Sequence, residues 1–344
     1  MKINFIIGLG RSGTTLLNTI LNSHSQIAST PENNFISFYH NAFKNYENSS
    51  PQEVKTMTDS VLLKRYKVIS VWDPDPDKIM ARYESGQTSM SLNSILGYFD
   101  FPFINKSQDD ITTIVDKNPS YSFHIDFLNR LYPDAKFIVL VRDYRDNITS
   151  RKKSDTSSLL KSPAIYAAAW SYYYEYIEKL ASKYPEKILY VKYEDLVLNT
   201  NESVRKICQF IQVPYRDEML QPSQFINFDY EKFKEKISKE EFLKISEMHK
   251  NLKLDINPRS IGAGTKQLSK WELMVAQTIC DNIGNRFGYQ PTIEISVISK
   301  ILIWIWYFPL IIYTRVYTFI FTRAFYLLPI RIKLFLCKFG IYPS

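Results

Sequence analysis

The run Phe5-Ile6-Ile7-Gly8-Leu9-Gly10-Arg11-Ser12-Gly13-Thr14-Thr15-Leu16-Leu17 constrains this chain more than any other stretch. An apolar segment of strand character meets a glycine-rich turn. Apolar residues at helical spacing follow it, at Leu16, Leu17, Ile20 and Leu21. The pattern predicts strand, anion-binding turn, helix. Glycines let the backbone turn with positive φ and come close to an anion. The start of the helix offers unpaired N–H groups and the positive end of its dipole to the same anion. Gly8 and Gly13 have the spacing of a nucleoside-triphosphatase loop, G-x-x-x-x-G-K-[ST]. Thr14 stands where that loop carries its lysine, and the cation lies upstream at Arg11. Without that lysine, hydrolysis of ATP or GTP is disfavoured. An arginine inside the turn suits a terminal anion lying across its mouth.

Further along, apolar runs of strand type alternate with helical patterns, and each run ends in residues of chemical interest. Ser25–Thr30 leads through Pro31 to Glu32. Thr112–Asp116 leads to Lys117-Asn118-Pro119, Ala135–Val141 to Arg142-Asp143, and Ile188–Tyr193 to Glu194-Asp195. Helical patterns follow over about 123–131, from Tyr144, over about 164–184 (notably aromatic) and over 201–210. This alternation predicts an α/β fold, a P-loop-like parallel sheet with helices on both faces. Parallel strands put their carboxyl ends on one edge, which is where open α/β sheets take ligands. That edge then gathers Arg11, Glu32, Lys117, Arg142 and Ser150, a cationic crevice holding one carboxylate placed to act as a base. Glu32 also has a purely structural reading, as an acid favouring a helix amino end through the dipole.

The boundaries predict a catalytic domain over residues 1–291, with a less regular insert at 45–110 as a candidate acceptor lid. The Asp73-Pro-Asp-Pro-Asp77 run within it suits a rigid turn better than a cation site. The three cysteines, Cys208, Cys280 and Cys337, are far apart and form no disulfide or metal framework, and no metal is expected. The net charge of +8 fits an anionic ligand or an anionic membrane surface. No basic tract interleaved with aromatics points to nucleic acid. Met1 to Asn4 lead straight into the first strand, so no signal peptide is read and a cytoplasmic site is expected.

Residues 292–344 change in character. They are rich in Ile, Leu, Phe, Tyr and Trp, and have no acidic residue after Glu294. Arg315, Arg323, Arg331, Lys333 and Lys338 recur among the apolar residues. The longest charge-free run, between Lys300 and Arg315, contains Pro309 and falls short of the roughly twenty residues that span a bilayer. The expectation is an interfacial helical hairpin on an anionic membrane face. A hydrophobic flap on the catalytic domain and a transmembrane hairpin are the alternatives.

Taken together, Gly10-Arg-Ser-Gly-Thr-Thr-Leu16, Asp116-Lys-Asn-Pro119, Phe137–Asp146 with Ser150, and Tyr193-Glu-Asp-Leu196 resemble sulfotransferases that use 3′-phosphoadenosine 5′-phosphosulfate (PAPS), in their bacterial and Golgi-type branch. The resemblance runs from residue 3 to about 290. It implies that Gly10, Arg11, Ser12, Gly13, Thr14 and Thr15 hold the 5′-phosphosulfate. Arg142 and Ser150 would hold the 3′-phosphate, with Tyr193 near the cofactor. Lys117, with Arg11, would neutralise the transferring group, and Glu32 would be the general base. His24, His40, His124 and His249 are the competing bases. In Asn257–Lys266, the basic, glycine-containing segment, Arg259 and Lys266 are candidates for the 3′-phosphate or the adenine side. The implied reaction is sulfuryl transfer from PAPS to a hydroxyl or amine of an acceptor, and the apolar, basic tail points to peripheral membrane contact and to a lipid or lipid-linked glycan as that acceptor. A P-loop kinase or nucleotidase and a non-catalytic, membrane-held anion-binding protein are the competing classes.

Overall fold

The computed structural model describes residues 2–30, 110–154, 161–222, 256 and 258–329, together with Ile332 and Leu336. Glu32, His40, His249 and nearly all of the 45–110 insert lie outside the described residues.

Five parallel strands form one sheet: β1 (Lys2–Gly8), β2 (Ile27–Thr30), β3 (Thr113–Lys117), β4 (Phe137–Val141) and β5 (Ile188–Lys192). Their order across the sheet is β2-β3-β1-β4-β5. β1 is central, with Ile6 in register with Lys117 of β3 on one side and with Ile138 of β4 on the other. Strands of continuous apolar character are those buried on both faces, and β1 and β4 alternate their side chains between two cores accordingly. Ile6, Ile138 and Leu140 pack with α1 (Thr14–Asn22) and α6 (Thr200–Ile211). Phe5, Ile7, Phe137 and Val139 face the larger core, which takes in α2 (Ile125–Leu131), α4 (Pro163–Ala181) and α8 (Lys270–Arg286). Helices therefore cover both faces.

The predicted elements are present, with three local differences. Pro119–Phe123 is a 3-10 turn capped by the Asn118 side chain, and α2 begins only after it. Lys117 is the last residue of β3, buried, rather than a loop residue. Tyr193 opens the short helix α5 (Tyr193–Leu198), because β5 ends at Lys192.

The carboxyl-terminal region is described through Pro329, so a second arm of the expected hairpin falls largely outside the described residues. Among the described residues, one helix, α9 (Val297–Phe319), runs through Pro309 and continues through a π turn (Ile320–Ala324) into α10 (Phe325–Leu327). Its cations do not break it because they turn onto the domain. Arg315 pairs with Glu175 at 3.0 Å, and the Arg323 guanidinium lies over the Tyr176 ring. Val297–Ala324, 28 residues, is long and apolar enough to cross a membrane by length and composition. Ile303, Ile311 and Phe325 nevertheless belong to the same core as the sheet.

At Gly8 the backbone has φ +133° and an added Cβ would sit 2.5 Å from the Leu140 carbonyl oxygen. Neither can give without parting β1 from β4. Replacing Gly8 with alanine should destabilise the protein by at least the roughly 1–3 kcal/mol of a strained backbone site, read as a lowered midpoint in chemical or thermal denaturation.

Candidate active site

The turn after β1 lies at the sheet's carboxyl edge, between the strands that diverge to either side of β1, as ligand crevices in such sheets do. Gly13 precedes α1 in the left-handed region, φ +95°, and no side chain caps the helix, so its first-turn N–H groups face the mouth uncapped. Arg11 is also left-handed, φ +69°, a rare conformation for a residue with a Cβ. The loop is held there from beneath. The Gly8 N–H donates to Ser122 Oγ at 3.0 Å. Asn147 Nδ2 donates to the Gly10 carbonyl at 3.0 Å and to Ser12 Oγ at 3.1 Å. Ser12 Oγ also meets Tyr174 Oη at 3.1 Å, and that hydroxyl bonds the Leu140 carbonyl at 2.7 Å. The Ser12 side chain is fully buried and committed inward, so what it offers an anion is its backbone.

Arg142, at the end of β4, joins the loop to two other segments. Its NH1 donates to the Arg11 carbonyl at 3.2 Å and its NH2 to the Ser260 carbonyl at 2.9 Å. Its guanidinium lies over the Tyr193 ring, 4.5 Å from the centroid. Tyr193 Oη in turn meets Ser260 Oγ at 2.7 Å. The Tyr193 ring also closes against Gly13, where a Cβ would come within 2.4 Å of it. Arg11 Nε donates to Ser150 Oγ at 3.1 Å, from α3 (Tyr144–Ser154). Arg11, Gly13, Arg142, Ser150 and Tyr193 thus form one contiguous cluster. Thr14 and Thr15 open α1 beside it.

The third segment reaches the same place through a carboxylate that the sequence reading did not assign. Asp146 accepts from the Gly262 N–H at 2.9 Å and the Gly264 N–H at 2.6 Å. Gly264 is pressed so close to α3 that a Cβ would lie 2.2 Å from the Arg145 carbonyl carbon. Burial raises the Asp146 pKa, opposed by the two glycine N–H groups and by Arg142. This clamp brings Ser260 to Arg142. Arg259 and Lys266 lie on the same segment with exposed side chains, Lys266 on the short helix α7 (Ala263–Gln267).

Asp143 is structural. Both its carboxylate oxygens take the buried Arg145 guanidinium, and its N–H donates to Glu194, whose other oxygen accepts from Tyr289 Oη. Of the competing bases, His24 is placed wrongly. It is fully buried before β2, on the opposite edge of the sheet, with Nε2 on the Pro214 carbonyl and Nδ1 accepting from Gln26 N–H. His124 stands at the junction between the 3-10 turn and α2.

Ser122, Asn147 and Tyr174 had no sequence signal: a serine in a turn, an asparagine on a polar helix and one tyrosine among three. Asp146, Gly262 and Gly264 lay inside quoted motifs, and only their pairing was illegible.

The turn brings an uncapped helix amino end together with Arg11 and Arg142, an arrangement of the kind that can take an anion. Residues 4–217 match the Sulfotransferase family, and the chain belongs to that family. It is 27% identical over 231 residues to the protein-tyrosine sulfotransferase of Drosophila melanogaster, covering 66% of this chain and 41% of that protein. With protein-tyrosine sulfotransferase 1 of Danio rerio it shares 24% over 296 residues, 85% of this chain and 73% of that one. The sulfotransferase domain of the Synechococcus PCC 7002 olefin synthase superposes with a TM-score of 0.53 at 19% identity, covering 84% of this chain and 95% of that domain, a likeness of fold.

Changing Asp146 to asparagine removes one acceptor and turns an amide donor toward a glycine N–H. Leaving such a buried donor unpaired costs about 1–3 kcal/mol. Hydrogen exchange should accelerate at Gly262 and Gly264 while the amides of β1 and β4 keep their protection.

Proposed function

We propose that the protein transfers a sulfuryl group from PAPS to a hydroxyl or amine of a membrane-borne acceptor, a lipid or lipid-linked glycan. One observation carries the reading. The glycine-rich turn and a second basic group, Arg142, are joined through Arg11, and buried Arg142 Nε has no hydrogen-bond partner among the described residues. A buried guanidinium N–H without a protein acceptor is a group that an anionic oxygen can satisfy. The turn and the arginine provide two anion-binding positions, which suit a nucleotide bearing an anion at each end of its ribose. Family membership supports the reaction class.

When bound, PAPS supplies a mixed anhydride whose sulfuryl group moves to the acceptor oxygen while the bridging oxygen stays with the 5′-phosphate. The chain's residues position and neutralise. The N–H groups of Gly13, Thr14 and Thr15 and the Arg11 side chain hold the 5′ end. Arg142 and Ser150 hold the 3′-phosphate, with Arg259 and Lys266 placed to add charge from the third segment. Tyr193, stacked on Arg142 and bonded to Ser260, fixes the guanidinium plane. Lys117, at the end of β3 beside β1, together with Arg11 stabilises charge growing on the bridging oxygen. Glu32, shortly after β2, takes the proton from the acceptor. Transfer of this kind proceeds through a loose centre and depends on positioning and charge, and these residues supply both without a metal. The reaction side is read as cytoplasmic, at the inner face of a membrane.

Two substitutions test this. Glu32→Gln should lower kcat by about 10²–10⁴-fold while calorimetric binding of 3′,5′-adenosine bisphosphate is unchanged. Undiminished turnover would remove Glu32 as the base. Arg142→Lys keeps the charge but loses the fork that bonds two carbonyls. It should weaken binding of 3′,5′-adenosine bisphosphate at least tenfold, and unchanged binding would overturn the assignment.

A further inference from the structure

The faces of α9 differ sharply. Ile303, Ile311, Thr314, Thr318, Thr322 and Phe325 are buried, a stripe at spacings near helical repeats that extends from the first turns of α9 to α10. Thr314 and Thr322 spend their hydroxyls on carbonyls four residues back, so neither brings an unbonded hydroxyl into the contact. Lys300, Arg315 and Arg323 do not point straight out from the domain either. Arg315 reaches Glu175, Arg323 lies over Tyr176 and Phe319, and Lys300 is near enough to Asp281 on α8 to oppose the rise that burial gives its pKa. The opposite face is exposed and has no charge from Ile301 to Ile320. Its most exposed members are Leu302, Ile305, Trp306 and Phe308. Trp304, Tyr313 and Tyr317 add aromatic rings that bear a polar atom.

We propose that α9 is an in-plane membrane helix: it lies along the surface of an anionic bilayer with its outer face in the headgroup–acyl boundary, and it does not cross. A helix of 28 residues is about 42 Å long. Its buried stripe fastens it to α4 and α8 over most of that length, so a spanning α9 would draw the charged faces of those helices into hydrocarbon. An in-plane position asks only that the charge-free face be immersed. Aromatic rings and flanking cations are the side chains that favour that depth. Charge commits the occupant to a bilayer rather than a second copy of the chain. Lys300, Arg315, Arg323, Arg331, Lys333 and Lys338 have no acidic counterpart after Glu294, and a like-charged copy would meet the same excess.

The placement bears on the acceptor and in this respect rests on the proposed transfer reaction. The π turn packs against the 3-10 turn Pro119–Phe123, which Asn118 alone separates from Lys117. Phe123 stacks on Tyr172 and lies edge-on to Tyr173, on the helix that carries Glu175. The immersed helix therefore ends beside the wall bearing Lys117, and an amphiphile held in the bilayer reaches the crevice without leaving the surface.

The test uses the full chain in detergent, mixed with vesicles of phosphatidylcholine alone or with 30% phosphatidylglycerol. The wild type should float with the anionic vesicles. Leu302→Glu with Trp306→Glu should reduce flotation at least tenfold, with melting temperature and binding of 3′,5′-adenosine bisphosphate unchanged. Undiminished flotation, or a wild-type dimer that these substitutions dissociate, would overturn the proposal. Topology is read from Ser296→Cys and Leu327→Cys, each in a Cys337→Ser background. An impermeant maleimide should label both from outside, and protection of one would mean that the helix crosses. Because nucleotide binding is measured separately, its loss in the wild type would refute the transfer reaction and leave the membrane result standing.

Discussion

The Arg142 guanidinium is where the site is tied together. One nitrogen bonds the turn after β1, another the segment containing Ser260, and its face rests on the ring of Tyr193 at the start of α5. None of these segments is next to another in sequence. A lysine there would be a point charge without the planar fork, and the segments would lose their common partner. Arg142 Nε is buried without an acceptor among the described residues, so the residue that ties these segments together keeps an unsatisfied donor among them.

The supports of this arrangement are mostly neutral. Trp170 Nε1 donates to the Arg142 carbonyl, and Tyr174 Oη to the Leu140 carbonyl. Two aromatic residues one turn apart on α4 therefore hold the last residues of β4 in place. Both are fully buried, which makes their hydrogen bonds costly to leave unmade. The large aromatic core and the crevice residues are thus parts of one construction. The outer surface of α4 supports α9 as well, so the apolar helix and the crevice share one rigid element.

Much was legible in advance because it depended on local patterning. Runs such as Phe137–Val141 are strands on composition alone, and their alternation with helical patterns dictates a parallel sheet with helices on both faces. Parallel strands then oblige Arg11, Lys117, Arg142 and the helix bearing Ser150 to gather at one edge. The role of Asp143 was harder to see, since adjacent Arg142 and Arg145 are equally plausible partners in sequence. The structure gives it to Arg145. The tail's apolar helical character was legible too, but not that Arg315 and Arg323 turn onto Glu175 and Tyr176.

By itself the sequence determined the elements, their order and the residue types brought to the carboxyl edge, because hydrophobic period and glycine placement act within a few residues. Only the tertiary structure decided what those residues do to one another. Ser12 turns inward to Tyr174 and Asn147, Asp146 clamps a segment more than a hundred residues distant, and Arg142 leaves its Nε without an acceptor among the described residues. Such pairings depend on distances between segments that no local pattern encodes. The same holds for α9, whose composition shows that it is apolar, while its buried stripe shows which face is left exposed.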